Sequence, residues 1–368
     1  MATEGIEKLI RPDLAGFGGY AAAKSPETLA GKVEVPVEKI IKLDANENPY
    51  GCSPRVNKAL AAYPDINIYP DAGQTELRKL LQGYTGVGYE HIVASAGSDQ
   101  LIDLILRLFI EPGDEVINCI PTFAMFQFFI GLCGGTPVIV PRDENFAVRV
   151  DAVKEAITKK TKLILLATPN NPTGTIMPRR DILEVLDTGV PVVVDEAYYE
   201  FSGETVAPLI NQYPNLMVLR TFSKWAGLAG LRIGYGMFPT KIADYLLRIK
   251  EPYCANVAAI VAVRESLQDK DYLMNLVKKV ITERERLFEE LKKLEWIKPF
   301  PSQANFIYCS VLKGKASDLQ QKLQNKGILV RYFDLPLLQN SLRIGVGKPE
   351  HTDALIRTLQ ELEGEIDG

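Results

Sequence analysis

The stretch HIVASAGSDQLIDLILRLFI (residues 91–110) couples a short apolar run to a longer one whose apolar residues recur at helical spacing, with Gly97-Ser98-Asp99 at the junction. The same alternation continues through DEVINCI (114–120), TFAMFQFFIGL (122–132), KLILLAT (162–168), a helical stretch near Asp181 to Leu186, PVVVDEAY (191–198), LMVLRT (216–221) and RIGYGM (232–237). The short runs are continuously apolar instead of alternating, so both of their faces are expected to be buried. Strands of that kind separated by helices predict an α/β domain with a mostly parallel sheet flanked by helices.

After Met237 the pattern changes. A helical tract with a long charged stretch from Tyr272 to Leu294 leads into ANFIYCS (304–310), a helix near Ser317 to Lys326, GILVRYF (327–333), SLRIGVG (341–347) and a final helix from about His351. This predicts a smaller α+β domain. The expected organisation is an N-terminal arm (1–30), a discontinuous small domain (31–90 and 255–368) and a large α/β domain (91–254). Val116 to Pro141 carries no charged residue, but prolines and glycines interrupt it, so it is read as a buried strand, helix and strand and not as a membrane span.

Composition narrows the function. In 368 residues, 42 Lys+Arg against 46 Asp+Glu give a net charge of −4, which leaves no global electrostatic footprint for nucleic acid or an anionic membrane. Any phosphate site must be local. The 5 cysteines form no C-x-x-C pair and read as free thiols in a reducing compartment, and 2 histidines outside any ligand spacing give a metal little to bind. Met1 to Leu14 mixes acids and bases without an apolar core, unlike a secretory signal or transit peptide. The expected location is the cytoplasm, or a plastid if a transit peptide has been removed.

Four positions carry chemistry. Gly97-Ser98-Asp99 follows a strand and opens a helix, as either an ordinary cap or a cradle for a phosphate. Gly16-Phe17-Gly18-Gly19-Tyr20-Ala21 fits G-x-G-x-x-A but follows no strand, so a nucleotide-binding Rossmann site is rejected, and no Walker A sequence is present. Asp195 ends an apolar strand, either in a local cap or ion pair or holding a heterocyclic nitrogen protonated. Lys224, in TFSKW, lies between a buried strand and the Gly-rich GLAGLRIGYG, where an amine can condense with an aldehyde. Thr221, Ser223 and Arg232 around it can serve one phosphate. The TPNNPTG loop (168–174) is stiffened by its prolines and fixes the Asn171 amide, which with Tyr198 suits a phenolate oxygen such as pyridoxal O3′.

Together, NNPTG, DEAYYEF and TFSKWAGLAGLRIGYG resemble the fold type I pyridoxal-phosphate aminotransferases of class I/II, in matching order across nearly the whole chain. Within that family RPDLAGF, LDANENPYG, NIYPD, AGSDQLID, PTFAMF, GILVRYFD and SLRIGVG are similar to the histidinol-phosphate aminotransferases. The resemblance implies pyridoxal 5′-phosphate as cofactor. Lys224 would form its Schiff base, Asp195 would pair with the pyridine nitrogen, and Asn171 with Tyr198 would bond the phenolate oxygen. Phe123 would stack on the ring, where many members carry tyrosine. Gly97, Ser98, Asp99, Thr221, Ser223 and Arg232 would hold the phosphate, with Tyr69 reaching in from the other subunit of a homodimer that shares its sites. Arg343 would clamp a substrate carboxylate, Arg331 would meet a substrate phosphate and Tyr20 on the arm would close over the side chain.

The implied reaction is ping-pong transamination between histidinol phosphate and 2-oxoglutarate, with Lys224 moving the proton from Cα to C4′. Histidinol phosphate has no carboxylate, so Arg331 and Arg343 are expected to serve phosphate and carboxylate in turn. An aromatic or broad-range aminotransferase, a decarboxylase of an amino acid phosphate and a non-catalytic relative share most of these residues.

Overall fold

The computed structural model describes residues 5–19, 28 and 35–364. The chain enters through a two-residue strand β1 (Ile41–Lys42) and the helices α1 (Pro54–Ala62) and α2 (Thr75–Thr85). It then lays down β2 (Ile92–Ser95), α3 (Ser98–Phe109), β3 (Glu115–Ile120), α4 (Ala124–Leu132), β4 (Thr136–Pro141), α5 (Val150–Glu155), β5 (Thr161–Ala167), α6 (Arg179–Leu186), β6 (Val192–Asp195), α7 (Tyr199–Ser202), β7 (Leu216–Thr221) and β8 (Gly234–Met237). The uncharged Val116–Pro141 stretch is β3, α4 and β4.

These strands form a 7-stranded sheet in the order β2-β8-β7-β6-β5-β3-β4. Its pairings are parallel except those of β8, which runs antiparallel to both β2 and β7. The pleat explains the continuous apolar runs. Ile164, Leu166, Val192, Val194, Leu216 and Val218 pack into a core on one face, while Leu163, Leu165, Val193, Met217 and Leu219 pack into a second core on the other. Each such side chain contributes about 1.5–3 kcal/mol when fully withdrawn from water.

The helices α8 (Thr240–Ile249), α9 (Val257–Gln268) and α10 (Lys270–Lys292) lead to the smaller part. There β9 (Ile297–Pro299), β10 (Phe306–Val311), α11 (Ala316–Asn325), β11 (Ile328–Leu329), β12 (Arg331–Phe333), β13 (Ser341–Gly345) and α12 (Pro349–Glu363) follow. An antiparallel sheet of order β12-β13-β10-β9 results. The GILVRYF run, one strand by its pattern, is divided between two sheets: β11 pairs in parallel with β1, and β12 pairs with β13. Val330, at 3% exposure, turns inward between them. Helix α1 packs along α9 and α2 packs against β2, so this early segment lies beside the large sheet's edge.

Candidate active site

Parallel strands end at the same edge, and the loops leaving β2, β3, β5, β6 and β7 therefore deliver Ser98, Phe123, Asn171, Asp195 and Lys224 to one side of the sheet. The reversed β8 completes the set. Gly234 pairs with both Ser95 and Thr221, so Arg232, just before β8, arrives at the edge that its neighbours leave from. The result is a cleft of about 400 Å³. Ser98, Asp99, Phe123, Asn171, Asp195 and Tyr198 line it, as do Thr221, Ser223, Lys224, Arg232, Arg331 and Arg343.

Asp195 is 5% exposed, and the backbone N–H of Ala197 donates to its Oδ1 at 2.9 Å. Burial, reinforced by the nearby carboxylates of Asp99 and Glu196, pushes its pKa up to about 7 despite that hydrogen bond. A carboxyl so placed is stabilised by any cation that reaches it. Behind it Glu196 is fully occupied: Arg220 Nε donates to its Oε2 at 2.9 Å, and that guanidinium lies 3.6 Å over the Tyr199 ring.

Lys224 donates from Nζ to the carbonyl oxygen of Ala45 at 3.1 Å. Burial, with the Arg343 guanidinium beside it, lowers its pKa to about 8, which brings the neutral, nucleophilic amine within reach near neutrality. The Tyr198 hydroxyl accepts from Asn46 Nδ2 at 2.9 Å, and its ring meets Phe306 edge-on. Arg343 donates from Nη1 to Asn171 Oδ1 at 2.7 Å and from Nη2 to the Asp44 carbonyl oxygen at 2.5 Å. The LDANENP segment thus threads the cleft and receives both Lys224 and Arg343 on main-chain oxygens.

At the start of α3, Gly97 adopts φ +84°, and a Cβ there would stand 2.5 Å from Arg232 Nη2. Glycine therefore lets the guanidinium lie against the helix N-terminus, where Asp99 Oδ2 accepts from Nη2 at 3.0 Å. Thr221 donates to Ser223 Oγ at 2.9 Å beside this corner, so two hydroxyls, free first-turn N–H groups and a guanidinium converge. Arg331 and Arg343 are direct partners across the β12–β13 pair. Like charges placed opposite each other repel, and an anion between them relieves this.

Tyr69 lies outside the cleft; it is 77% exposed and stacks on Tyr253 at 4.4 Å. Tyr20 is outside the described residues. Two residues passed over in the sequence support the Asn171 loop. Asn170, fully buried, accepts on Oδ1 from Thr122 and Arg142 and donates from Nδ2 to Pro121 O and Thr173 Oγ1. Arg142, 6% exposed, also donates to the Cys119 and Phe146 carbonyl oxygens, and burial lowers its pKa to about 10. The signal for Asn170 was the doubled amide in NNPTG; an arginine after an apolar strand carries none. Among the described residues, no cluster of three or more metal-binding side chains occurs, and no helix is long and apolar enough to cross a membrane.

The chain is similar to several known proteins. The family model for aminotransferase class I and II matches residues 38–359. A histidinol-phosphate aminotransferase of Dehalococcoides mccartyi is 58% identical over 98% of this chain and 99% of its own length. A chloroplastic histidinol-phosphate aminotransferase of Nicotiana tabacum is 43% identical over 96% of this chain and 86% of its own length. The crystal structure of histidinol-phosphate aminotransferase from Sinorhizobium meliloti, in complex with pyridoxal-5′-phosphate, superposes with a TM-score of 0.88 at 26% identity, covering 97% of this chain and 98% of that one. With the model spanning most of the chain and a relative this similar along its whole length, the chain belongs to the class I and II aminotransferase family.

Proposed function

We propose that the protein is a pyridoxal-phosphate-dependent aminotransferase of histidine biosynthesis that interconverts histidinol phosphate and 2-oxoglutarate with imidazole-acetol phosphate and glutamate. The observation that carries this reading is one cleft that gathers a poised amine, a cation-seeking buried carboxyl and two facing arginines. The relatives bearing the histidinol-phosphate aminotransferase name support the substrate.

The residues present fit the cofactor. Asp195, whose hydrogen bond comes from its own turn, has the charge to keep a ring nitrogen protonated, and the Gly97–Arg232 corner has the donors for a phosphate. When bound, pyridoxal 5′-phosphate supplies an aldehyde carbon and a cationic ring that takes up the electron pair left when a substrate C–H bond breaks. Lys224 Nζ would anchor it, and the same amine, when free, would accept the proton leaving the substrate's α-carbon. Asn171 and Tyr198 would hold the phenolate oxygen, and Phe123 would pack on the ring. Arg331 and Arg343 hold the phosphate of histidinol phosphate in one half-reaction and a carboxylate of glutamate in the other.

We read the working form as a homodimer with shared sites. Support comes from the exposed Ile66, Ile68, Tyr69 and Tyr253 on one surface, where Tyr69 is available to a second copy's phosphate corner. We read its compartment as the cytoplasm, supported by five free cysteines.

The test follows cofactor amination with histidinol phosphate, phenylalanine, tyrosine and glutamate in turn, while monitoring carbon dioxide. Fast amination by histidinol phosphate and glutamate without gas release supports the proposal. Arg331→Ala should slow the histidinol phosphate half-reaction about tenfold or more. Intact turnover in that variant, or carbon dioxide release, overturns the assignment.

A further inference from the structure

Successive carbonyl oxygens of the LDANENP segment each receive a donor. Gly345 N–H reaches Leu43 at 2.7 Å, Arg343 reaches Asp44, Lys224 reaches Ala45, and Asn305 Nδ2 reaches Asn46 at 3.0 Å. Strand β13, the loop after β7 and the residue before β10 thus all hold this short stretch of main chain. Asn46, at its end, is 3% exposed and has φ +55°. Asparagine and aspartate are among the few residues with a Cβ that enter this left-handed region readily, and glycine enters it freely.

Asn46 and Tyr198 both line the cleft, and Asn46 Nδ2 donates to the Tyr198 hydroxyl oxygen at 2.9 Å. The amide's other atom, Oδ1, is buried with no partner among the described residues. A half-satisfied buried amide costs stability, so packing alone does not call for one here. The direction of its bond decides what Tyr198 can do. A phenol has one proton, and an amide nitrogen donates but does not accept. The proton between Nδ2 and the hydroxyl therefore belongs to Asn46, and the phenol keeps its own for a different acceptor. An oxygen in the place of Nδ2 would draw the phenol proton to Asn46 instead.

We infer that Asn46 is a positioning residue: its amide occupies an acceptor site on the Tyr198 oxygen and so commits the tyrosine proton to the phenolate oxygen of the bound cofactor. The inference rests on the function proposed above. A hydrogen bond donated to an anionic oxygen favours the form in which that oxygen bears the most charge. Asn46 thereby lowers the pH at which the bound cofactor loses its proton and strengthens the hold on its ring, by way of Tyr198.

The test replaces Asn46 by Asp, which keeps the shape and suits the backbone but turns the donor into an acceptor, and by Gly, which removes the group. Each variant is made with and without Tyr198→Phe. In cofactor-loaded protein, the pH midpoint of the visible absorption band and the cofactor's dissociation constant are read. Asn46→Asp should raise the midpoint by about one pH unit and weaken cofactor binding about tenfold. Asn46→Gly should shift both in the same direction by less. In the Tyr198→Phe background the effect of Asn46→Gly should vanish, and that of Asn46→Asp should fall by about half or more, to what its charge does directly. Asn46→Gly adds no buried charge, so its cycle decides alone where Asn46→Asp does not fold. An unmoved midpoint, or equal effects with and without the Tyr198 hydroxyl, overturns the inference alone. Wild-type protein that develops no visible band with pyridoxal 5′-phosphate overturns the proposed function as well.

Discussion

Replacing Asp195 by asparagine should make the cofactor-free protein less sensitive to pH. The buried carboxyl binds its proton with a pKa raised from 3.8 to about 7, chiefly because burial disfavours the charged form. The folded chain therefore keeps a proton that the unfolded chain has released. Stability from this source is complete below the unfolded value and is lost as pH rises through about 7. Applying about 1.36 kcal/mol per unit across this titration, the wild type should lose about 2 kcal/mol relative to Asp195→Asn between about pH 5.5 and about pH 8. Asparagine keeps an oxygen for the Ala197 N–H, so the turn itself survives. Glu200, also buried and raised to about 7, adds a slope of the same sign that is common to both proteins and cancels in the difference. Urea denaturation of the two cofactor-free proteins over this pH range measures the effect. Bound cofactor should reverse it, because a cationic ring stabilises the carboxylate and not the amide. Parallel stability curves for the two proteins would refute the claim that Asp195 is held out of its normal ionisation by burial.

Other outcomes follow from the same geometry. Lys224→Arg keeps a cation but no condensing amine, so half-reaction rates should fall about 10²–10⁴-fold and borohydride should no longer tag the chain. Gly97→Ala forces a methyl group against Arg232 at a positive φ; cofactor affinity, read by spectroscopic titration, should drop by about tenfold, a change of about 1.4 kcal/mol. Arg142→Met leaves the Cys119 and Phe146 carbonyls and Asn170 Oδ1 short of a donor inside the protein, so stability by urea denaturation should fall by about 3 kcal/mol or more.

Much of the fold was legible because buried parallel strands must be apolar on both faces, which makes runs such as KLILLAT and PVVVDEAY stand out. Motifs at their carboxyl ends are legible for the same reason, since the sheet's topology gathers those ends. GILVRYF is one apolar run that serves two sheets, and nothing local marks Val330 as the crossing point. Arg142 was invisible for a different reason: its partners are main-chain oxygens and an amide, and residue identities do not record which carbonyls face inward. The acceptors of Lys224 and Arg343 on Ala45 and Asp44 escaped in the same way.

One reversed strand has an architectural consequence. In a wholly parallel sheet a binding edge draws only on connections that depart from it, because incoming connections arrive at the far rim. With β8 inverted between β2 and β7, the connection that ends at Ile233 also opens onto that edge. A parallel β8 would strand the guanidinium of Arg232 at the opposite rim, about 13 Å away for four residues. The inversion thus gives this edge an additional ligand-bearing loop without lengthening the sheet.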